Sequence, residues 1–423
     1  MSINQAEPFA GIRVVEFGQF VAVPFCGQLL AEGGAHVIKV ESLDGDPNRH
    51  MVEISPRDSR IFVSRNRGKH TLPLKLGDPA VAPVVDALIR SADVVLMNFR
   101  PGLASKLGLD PEVLLASHAR LIIGEITPFG KQGPDAGLAG MDIVVQARSG
   151  LMAAMGRVVD DRPAPGDPVI SDYMAATSLA FGISAALYRR EHTGRGGLVD
   201  VSLMQAAMTL ANNQLTRHEE LDRHRHEQAM KRIDAQRRAG VAYEEQLKAQ
   251  PGVRANAIRD VYFRTYDTVD GSIAIACASS GLQERFNETV GIEAPRVSIL
   301  KASQETVNAL QSKVEAIIRS ETSRYWVETL GAAGVPVSTV KFPLEMFDDE
   351  QAEANRMFSL VDHPSGTLRV LAPPVRLDGD GFVTRGPTAP FGSEVRSLLA
   401  ELGFDEEAVD ALITQRVTSL GES

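Results

Sequence analysis

The sequence predicts an α/β protein built on a doubly wound, mainly parallel sheet, with a second, smaller α/β domain. Segments of strand composition alternate with helical segments through the first half of the chain, which favours parallel pairing. A nearly continuous run of charged residues then interrupts this alternation. The chain has 423 residues, 44% of them hydrophobic and 23% charged, an ordinary globular composition. At about 100–200 residues per domain, this length predicts two or three domains.

The chain opens with a βαβ unit. Residues 12–17 have strand composition, and Pro24 suits the first turn of the helix that follows. Gly33 and Gly34 end that helix, and residues 35–40 form the next strand. Further strands, with helices between them, are predicted at residues 71–76, 93–97, 121–126 and 198–202. Ligands of such Rossmann-like sheets bind beyond the carboxyl ends of the strands, so we expect a binding site there.

The second half of the chain predicts a smaller domain and a return to the larger one. Asp270 and Gly271 form a hairpin signal between two strands within residues 261–278. Helices are predicted at residues 171–191, 303–319, 322–333 and 393–402. We expect a large domain over residues 1–216, a charged helical connector over 217–250, a small α/β domain over 251–334 and a return segment over 335–423 that completes the large domain.

Charge and cysteine content exclude several classes of protein. A net charge of −10 and a pI of 5.5 argue against a nucleic-acid or anionic-membrane partner. Cys26 and Cys277 are the only cysteines and lack CxxC spacing, which indicates a reduced, intracellular protein. The first ten residues lack a signal-peptide pattern, and the most apolar segment, residues 174–188, is shorter than the ~20 residues of a membrane span. We expect a cytoplasmic protein.

Several catalytic motifs are absent. The chain has no GxGxxG opening a helix after a strand, no GxxxxGK[ST], no HExxH and no GxSxG. His218, Asp222 and His226 are spaced to share a helix face as metal ligands, but charged residues surround them, and a solvated face is the simpler interpretation. We therefore expect no metal site. Cys26 lies in the apolar first helix, which favours a core residue over a nucleophile.

Asp172 stands between a Pro/Gly-rich loop, residues 165–171, and a helix rich in small residues. Either Ser171 or Asp172 could be the N-cap of that helix, which is the commoner role of such residues. The same position suits a nucleophile, because a helix N-terminus holds a carboxylate ionised. Position alone leaves both interpretations open.

An ordered set of short motifs runs along nearly the whole chain. The set comprises GIRVVEF (11–17), GAHVIKVE (34–41), NRGK (66–69), NFRPG (98–102), GL (108–109), FG (129–130), GP (133–134), Asp142, QA (146–147), SG (149–150), Asp172, RREHTGRG (189–196), VDVS (199–202), GVP (334–336), PP (373–374) and LGF (402–404). No single motif is specific, but the ordered set resembles the class III CoA-transferase family (formyl-CoA transferase-like, CaiB/BaiF type).

This resemblance implies a CoA-transferase in which Asp172 is the catalytic nucleophile. In the family, a carboxylate attacks an acyl-CoA thioester to form a mixed anhydride, and the CoA thiolate returns to form an enzyme–CoA thioester. An acceptor acid then takes over the CoA. The implied substrates are an acyl-CoA and a carboxylic acid, with no permanently bound cofactor and no metal. The resemblance also implies an interlocked homodimer, in which residues 217–250 would be a connector passing around the partner.

The resemblance also implies CoA contacts, position by position. The implied CoA-binding residues are Val21, Ala22, Leu74, Lys75, Asn98, Phe99, Arg100 and Lys106. Gln19, Met141 and Asp142 are expected to support the active site. Each CoA contact has a plain alternative: Ala22 and Leu74 could be core residues, and Lys75 and Lys106 ordinary surface lysines. Their predicted place at the ends of strands favours binding.

Three departures from the family pattern affect the expected substrate and reaction. Ser42 stands where formyl-CoA transferases have arginine, so we expect recognition of the adenine or phosphate groups to differ. Gly252–Asn256 replaces their glycine-run loop, which argues against oxalate and formate as substrates. Met141 stands where α-methylacyl-CoA racemases have histidine. A racemase needs acid–base groups on both faces of the α-carbon, and methionine moves no proton. A racemase-like epimerase and a CoA-binding protein without catalysis, with Asp172 only as a helix cap, stay as alternatives.

Overall fold

The structure is a computed structural model that describes residues 7–249, 261–293, 303–379 and 381–421. Strands and helices are numbered along the chain. The strands are β1 (Arg13–Phe17), β2 (His36–Glu41), β3 (Glu53–Ser55), β4 (Asp58–Ser59), β5 (Lys69–Pro73), β6 (Val94–Met97), β7 (Ile122–Thr127), β8 (Val158–Val159), β9 (Arg162–Pro163), β10 (Gly197–Ser202), β11 (Phe263–Asp267), β12 (Ser272–Ala276), β13 (Val337–Thr339), β14 (Phe358–His363) and β15 (Gly366–Leu371). The helices are α1 (Ala22–Glu32), α2 (Arg60–Asn66), α3 (Ala82–Ser91), α4 (Leu103–Lys106), α5 (Pro111–Ser117), α6 (Asp142–Ser149), α7 (Leu151–Met155), α8 (Ile170–Thr193), α9 (Leu203–Leu210), α10 (Asn212–Leu215), α11 (Arg223–Arg238), α12 (Tyr243–Lys248), α13 (Ser280–Val290), α14 (Gln304–Ile318), α15 (Ser323–Ala332), α16 (Glu350–Ala354), α17 (Val395–Glu401) and α18 (Glu406–Thr414).

The chain divides into two compact units. The large unit comprises Met1–Met152, Pro165–Asn212 and Glu350–Ser423. The small unit comprises Ala153–Ala164 and Asn213–Asp349. Each unit is described below by itself.

A six-stranded sheet forms the centre of the large unit. The strand order is β10-β7-β6-β1-β2-β5, and every pairing is parallel. The α/β fold with a parallel sheet, predicted from the alternation of strands and helices, is therefore confirmed. Strand order reverses between β1 and β6, and in such sheets ligands bind beyond the carboxyl ends of the strands at this reversal. The residues after β1 and β6 are Gly18 onward and Asn98 onward.

The two faces of this sheet pack against different helices. One face carries Val15, Ile38 and Val95, which share a core with α3, α17 and α18. The last two helices come from the C-terminal part of the chain, so that part completes the core of the large unit. On the other face, α8 packs closely on the sheet, because an added Cβ at Gly124 would meet Ile183, and one at Gly182 would meet Val199.

Helix α8 is, within the described residues, the one helix whose length and apolar composition would suit a membrane span. Ala175, Leu179 and Ile183 are fully buried in the large unit. The helix contacts α1, β7 and β10. Packing within the unit therefore accounts for the apolar residues on this face of α8.

The small unit is built around a three-stranded antiparallel sheet, β11-β12-β13. Its first two strands form the hairpin predicted at Asp270 and Gly271, and the helices predicted at 303–319 and 322–333 are α14 and α15. Phe286, Val314 and Leu330 are buried in its core.

The predicted domain limits differ from the observed units in several places. Residues 213–216, predicted in the large domain, and the predicted connector 217–250 fall in the small unit. Residues 335–349 belong to the small unit and not to the return segment, because Val337–Thr339 pair with β12. Residues 153–164 also belong to the small unit, since β9 contacts α12. In the predicted connector, α11 and α12 contain no buried residue. The first ten residues of the predicted small domain, 251–260, lie outside the described residues.

Candidate active site

The loop between β1 and α1 lies at the point where the strand order reverses. Three of its carbonyl groups, those of Gly18, Gln19 and Phe20, accept hydrogen bonds from side chains elsewhere in the chain. Lys39 donates to the Gly18 carbonyl at 2.6 Å. Asn98 donates to the Gln19 carbonyl at 3.0 Å and accepts the Gln19 N–H at 3.1 Å. Asn48 donates to the carbonyl of Phe20 at 2.6 Å.

Phe20 has an unusual backbone conformation for its residue type. Its φ of 67° lies in the left-handed region, which costs an L-residue other than glycine about 1–2 kcal/mol. Such conformations persist where surrounding contacts determine them, and they cluster at functional sites. Here the hydrogen bonds that the carbonyls of Gly18, Gln19 and Phe20 accept from side chains supply those contacts.

The predicted CoA-binding residues of this loop are at the start of α1. Val21 and Ala22 are 7% and 3% exposed, so their side chains belong to the core. Helix α1 has no side-chain cap, and the N–H groups of Val21 and Ala22 have no hydrogen-bond partner among the described residues. Backbone donors, rather than these side chains, are thus what this helix offers to a ligand. Gln19 and Phe20 are exposed.

The other predicted CoA-binding residues follow β5 and β6 at the same edge of the sheet. Leu74 is buried in the core, and Lys75 is exposed and pairs with Asp78 at 3.2 Å. Phe99 packs on Phe17, with ring centroids 6.1 Å apart.

Two predicted cations have open surroundings. Arg100 and Lys106 are exposed, and neither has an ion-pair partner within the part of the chain that the structure describes. Lys106 ends the short helix α4 that follows β6. Exposed cations beyond the carboxyl ends of the strands are suitable partners for the phosphate groups of CoA.

Asp172 is the third residue of α8 and is partly buried. Val169, not Ser171 or Asp172, is the cap residue of the helix, and its side chain caps nothing. Within the described residues, no group donates a hydrogen bond to the Asp172 carboxylate. The simple capping role that its sequence position allowed is therefore wrong.

Asp142 supplies the cap from another helix. It is the first residue of α6, 5% exposed, and its Oδ1 accepts the N–H of Ser171 at 2.8 Å. Gln146, one turn later and fully buried, donates to the other oxygen of Asp142. The amide of Gln146 also accepts the Gly166 N–H at 2.9 Å and donates to the Gly166 carbonyl at 3.3 Å. Thus two side chains of α6 hold the backbone that leads into Asp172.

The surroundings of Asp172 alter its protonation. Burial and, to a smaller extent, the negative charge of Asp142 raise its pKa from 3.8 to about 7, and Arg65 opposes both. The sequence predicts the opposite, a carboxylate held ionised by the helix N-terminus. Burial and a neighbouring carboxylate outweigh the helix dipole here.

Tyr173, the residue after the nucleophile candidate, contacts Phe25 and Arg65. Its ring meets that of Phe25 edge-on at 4.9 Å. Arg65 lies 5.9 Å from the ring centroid and donates to the Tyr173 hydroxyl at 3.4 Å. Met141, the predicted supporting residue before α6, is 54% exposed.

A buried ionic network lies beneath the β1–α1 loop, and the sequence analysis missed it. Glu16 contacts Lys39 at 3.0 Å and Lys69 at 2.8 Å, and Lys39 also contacts Asp46 at 3.0 Å, with every side chain 0% exposed. Burial alone would lower the pKa of Lys39, but Glu16 and Asp46 outweigh it and raise the pKa. The available signal was the presence of Glu16 and Lys39 inside otherwise apolar strands, whereas Lys69 is the first residue of β5 and carried no such signal.

Several other candidate residues have ordinary environments. Cys26 is buried, and burial and Glu16 raise the pKa of its thiol, which disfavours the thiolate. Ser42 donates to the Gly45 carbonyl at 3.0 Å. No group of metal-binding side chains is present among the described residues, which include His218, Asp222 and His226. The Gly252–Asn256 segment lies outside those residues.

Nearly the whole sequence matches a known protein family. A sequence model of CoA-transferase family III matches residues 9–393. This chain belongs to CoA-transferase family III. The resemblance found in the short motifs is therefore confirmed, and with it the expectation that the protein is a CoA-transferase.

Relatives of this chain differ in the acyl groups that their names give. The probable fatty acyl-CoA transferase Rv3272 of Mycobacterium tuberculosis is 29% identical over 415 residues, which cover 94% of this chain and 98% of that protein. The cinnamoyl-CoA:phenyllactate CoA-transferase of Clostridium sporogenes is 26% identical over 427 residues, 97% of each chain. The succinate–glutarate CoA-transferase of Agrobacterium fabrum is 28% identical over 414 residues, which cover 94% of this chain and 96% of that protein.

Solved structures of CoA-transferase family III share the fold. The crystal structure of Rv3272 in its orthorhombic form matches with a TM-score of 0.74 and 26% identity, covering 93% of this chain and 99% of that one. A CAIB/BAIF family protein from Brucella suis matches with a TM-score of 0.71 and 26% identity, covering 93% and 99%.

Proposed function

We propose that this CoA-transferase moves CoA from an acyl-CoA thioester to a carboxylic acid, with Asp172 as the nucleophile. The observation that carries the proposal is the state of the Asp172 carboxylate, which is partly buried and accepts no hydrogen bond among the described residues. A carboxylate that is spared from capping and partly removed from water is a better nucleophile toward a carbonyl carbon. Asp142 does the capping in its place.

The reaction would proceed through two kinds of covalent intermediate. The ionised Asp172 attacks the thioester carbonyl, which forms a mixed anhydride and releases CoA thiolate. The thiolate attacks the Asp172 carbonyl, which forms an enzyme–CoA thioester and releases the donor acid. The acceptor carboxylate attacks this thioester to give a second anhydride and CoA thiolate. Attack of that thiolate on the acceptor's acyl carbonyl gives the new acyl-CoA and restores Asp172.

Three features of the large unit support this scheme. Its raised pKa gives it more basicity than an ordinary aspartate while leaving about half of it ionised near pH 7. Free N–H groups at Val21 and Ala22 are suitable donors for CoA or for an oxyanion. Exposed Arg100 and Lys106 are suitable partners for the phosphate groups of CoA.

The substrates we propose are an acyl-CoA donor and a free carboxylic acid. The relatives named above act, by their names, on fatty acyl, cinnamoyl and phenyllactate, or succinate and glutarate groups. A donor panel of succinyl-CoA, cinnamoyl-CoA and a long-chain acyl-CoA therefore covers the acyl types to test first.

Intact-protein mass spectrometry after mixing with each donor tests the nucleophile. We expect a covalent adduct that hydroxylamine or borohydride traps at Asp172, that is lost in Asp172→Ala, and that persists in the control Asp135→Ala. Its rate of formation should rise with pH through about 7, because the ionised carboxylate attacks. Absence of an adduct with every donor, together with deuterium wash-in at the α-carbon of a branched acyl-CoA, would instead indicate racemase chemistry.

We propose a homodimer as the working assembly. Exposed aromatic side chains support it: Phe181 and Tyr188 on α8 are 78% and 71% exposed, and Phe342 is 77% exposed. Aromatic residues are enriched at protein interfaces. Light scattering should then give twice the chain mass of 45.6 kDa, and a value of one chain mass would contradict the assembly.

A further inference from the structure

We infer that Asn98 and Asn48 are positioning residues, which hold the β1–α1 loop in the conformation that binds CoA. The inference rests on the proposed function in one respect, that this loop is part of the CoA site. It assigns Asn98 a different role from the CoA contact that the family resemblance implies. Its basis is the hydrogen bonding of the loop backbone.

The amide of Asn98 is already engaged with protein. Its oxygen accepts the Gln19 N–H at 3.1 Å and its nitrogen donates to the Gln19 carbonyl at 3.0 Å, across 79 residues of sequence. This pair of bonds imitates one rung of a β-ladder and joins the ends of β1 and β6. Since β1 and β6 flank the reversal in strand order, the bond spans the crevice where ligands bind.

Asn48 acts on the next residue of the same loop and cannot reach a ligand itself. It is 3% exposed, and it donates to the Phe20 carbonyl at 2.6 Å. Its own N–H is held at 3.0 Å by Asp46, which is part of the buried ionic network. The loop is therefore fixed from the interior as well as from the neighbouring strand.

The loop needs these hydrogen bonds because Phe20 prefers a backbone conformation other than the one it has here. Phe20 has a φ of 67°, which a phenylalanine avoids when it is free to choose. With its carbonyl and the Gln19 peptide released, Phe20 would return to negative φ. The N–H groups of Val21 and Ala22, which follow directly, would then lose the orientation they have at the start of α1.

CoA binding by the full-length protein tests this role without any catalytic turnover. The variants are Asn98→Leu and Asn48→Leu, which remove the hydrogen bonds at similar volume, and Asn98→Asp, which keeps the acceptor for the Gln19 N–H. The control is Asp93→Asn. Asp93 accepts the Arg13 N–H at 2.9 Å and so links β6 to β1 at their opposite, amino ends. Calorimetry with CoA and amide hydrogen exchange over residues 18–23 are the two measurements.

We expect Asn98→Leu and Asn48→Leu each to weaken CoA binding ~10-fold, the effect of about one lost backbone hydrogen bond, and to speed exchange at residues 18–23. Asn98→Asp keeps the acceptor but sets a carboxylate oxygen against the Gln19 carbonyl in place of the amide donor, so it should weaken binding and speed exchange at least as much as Asn98→Leu. Asp93→Asn should change the affinity less than twofold. The restoring variant is Phe20→Asn, because asparagine tolerates positive φ; in the Asn98→Leu background it should recover part of the affinity.

Two results would overturn the inference. Weaker binding by Asn98→Leu with unchanged exchange, and unchanged binding by Asn48→Leu, would show that Asn98 contacts CoA directly. Faster exchange with unchanged CoA affinity would show that the loop is not part of the CoA site. Neither result depends on a covalent adduct at Asp172, so failure of the nucleophile proposal is seen separately in the mass-spectrometry experiment.

Discussion

At the scale of single residues, Asp172 combines two demands that oppose each other. A nucleophile must be ionised, but partial burial beside Asp142 raises its pKa to about 7. The site therefore keeps a carboxylate where its charge is disfavoured, which gives reactivity and reduces the free energy of unfolding. Arg65 offsets part of this effect.

Replacing Asp172 with asparagine should stabilise the protein at high pH. The folded-state pKa is raised from 3.8, so the wild type loses stability as the pH rises from about 4 through about 7. Asp172→Asn lacks this loss, and we expect it to be about 1–3 kcal/mol more stable than wild type at pH 8 and nearly equal at pH 4. Urea denaturation at both pH values measures the difference.

Asp110 provides a control of opposite sign. Its carboxylate accepts hydrogen bonds from Ser105 and from the N–H groups of the first turn of α5, which hold its pKa below the usual range. Asp110→Asn should therefore destabilise the protein at neutral pH and have less effect as the pH falls through the lowered pKa. A loss of stability in Asp172→Asn at pH 8 would contradict the raised pKa of that group.

At the scale of elements, α6 organises the start of α8. Asp142 and Gln146 lie on the same face of α6 because they are four residues apart. One caps α8 at Ser171, and the other holds Gly166 by both of its backbone groups. The nucleophile candidate is thus placed by a neighbouring helix and not by its own loop.

Gln146→Met tests this dependence. The substitution keeps the volume but leaves the Gly166 N–H and carbonyl without partners, which should reduce the free energy of unfolding by about 1–3 kcal/mol. Because a small displacement of a reacting group costs rate, we expect adduct formation at Asp172 to slow by ~10–100-fold, while CoA affinity stays within about twofold. Rapid mixing with an acyl-CoA, quenching at set times and intact-protein mass spectrometry measure the rate of adduct formation.

The matched control is Arg148→Met on the same helix, because the Arg148 side chain is 54% exposed and pairs with Asp135. It should change neither the rate nor the affinity. A loss of CoA affinity in Gln146→Met with an unchanged rate of adduct formation would show that Gln146 serves the binding site and does not position Asp172.

The elements also show how far the sequence determines the structure. The parallel strands could be predicted because most are local apolar runs between turn residues, but β5 was expected at 71–76 and lies at Lys69–Pro73. The contacts Asn98–Gln19 and Gln146–Gly166 could not, because they join residues 79 and 20 positions apart and depend on strand order. The limit at residue 335 was wrong for the same reason, since β13 has no local feature that assigns it to β12.

At the scale of the whole molecule, the large unit is assembled from three separate segments of the chain. The N-terminal segment contributes five of the six strands of the sheet, and the C-terminal segment contributes α17 and α18 to its core. Inside this unit, Glu16, Lys39 and Lys69 join three adjacent strands by buried ion pairs. Salt screens such buried pairs only weakly. Removing one partner strongly destabilises the protein, because the other charge is left unpaired in the interior.

Lys39→Met should therefore be one of the most damaging single substitutions in the large unit. It leaves Glu16 and Asp46 without the shared cation and releases the Gly18 carbonyl, so we expect a loss of about 3–5 kcal/mol in the free energy of unfolding. Lys75→Met is the matched control, because Lys75 is 61% exposed and its pair with Asp78 is a surface pair, which contributes little to stability. Denaturation in low and high salt separates the two, since only the exposed pair should be screened. Equal, small losses in both variants would mean that the interior pairs contribute no more than a surface pair, and that the β1–α1 loop does not depend on them.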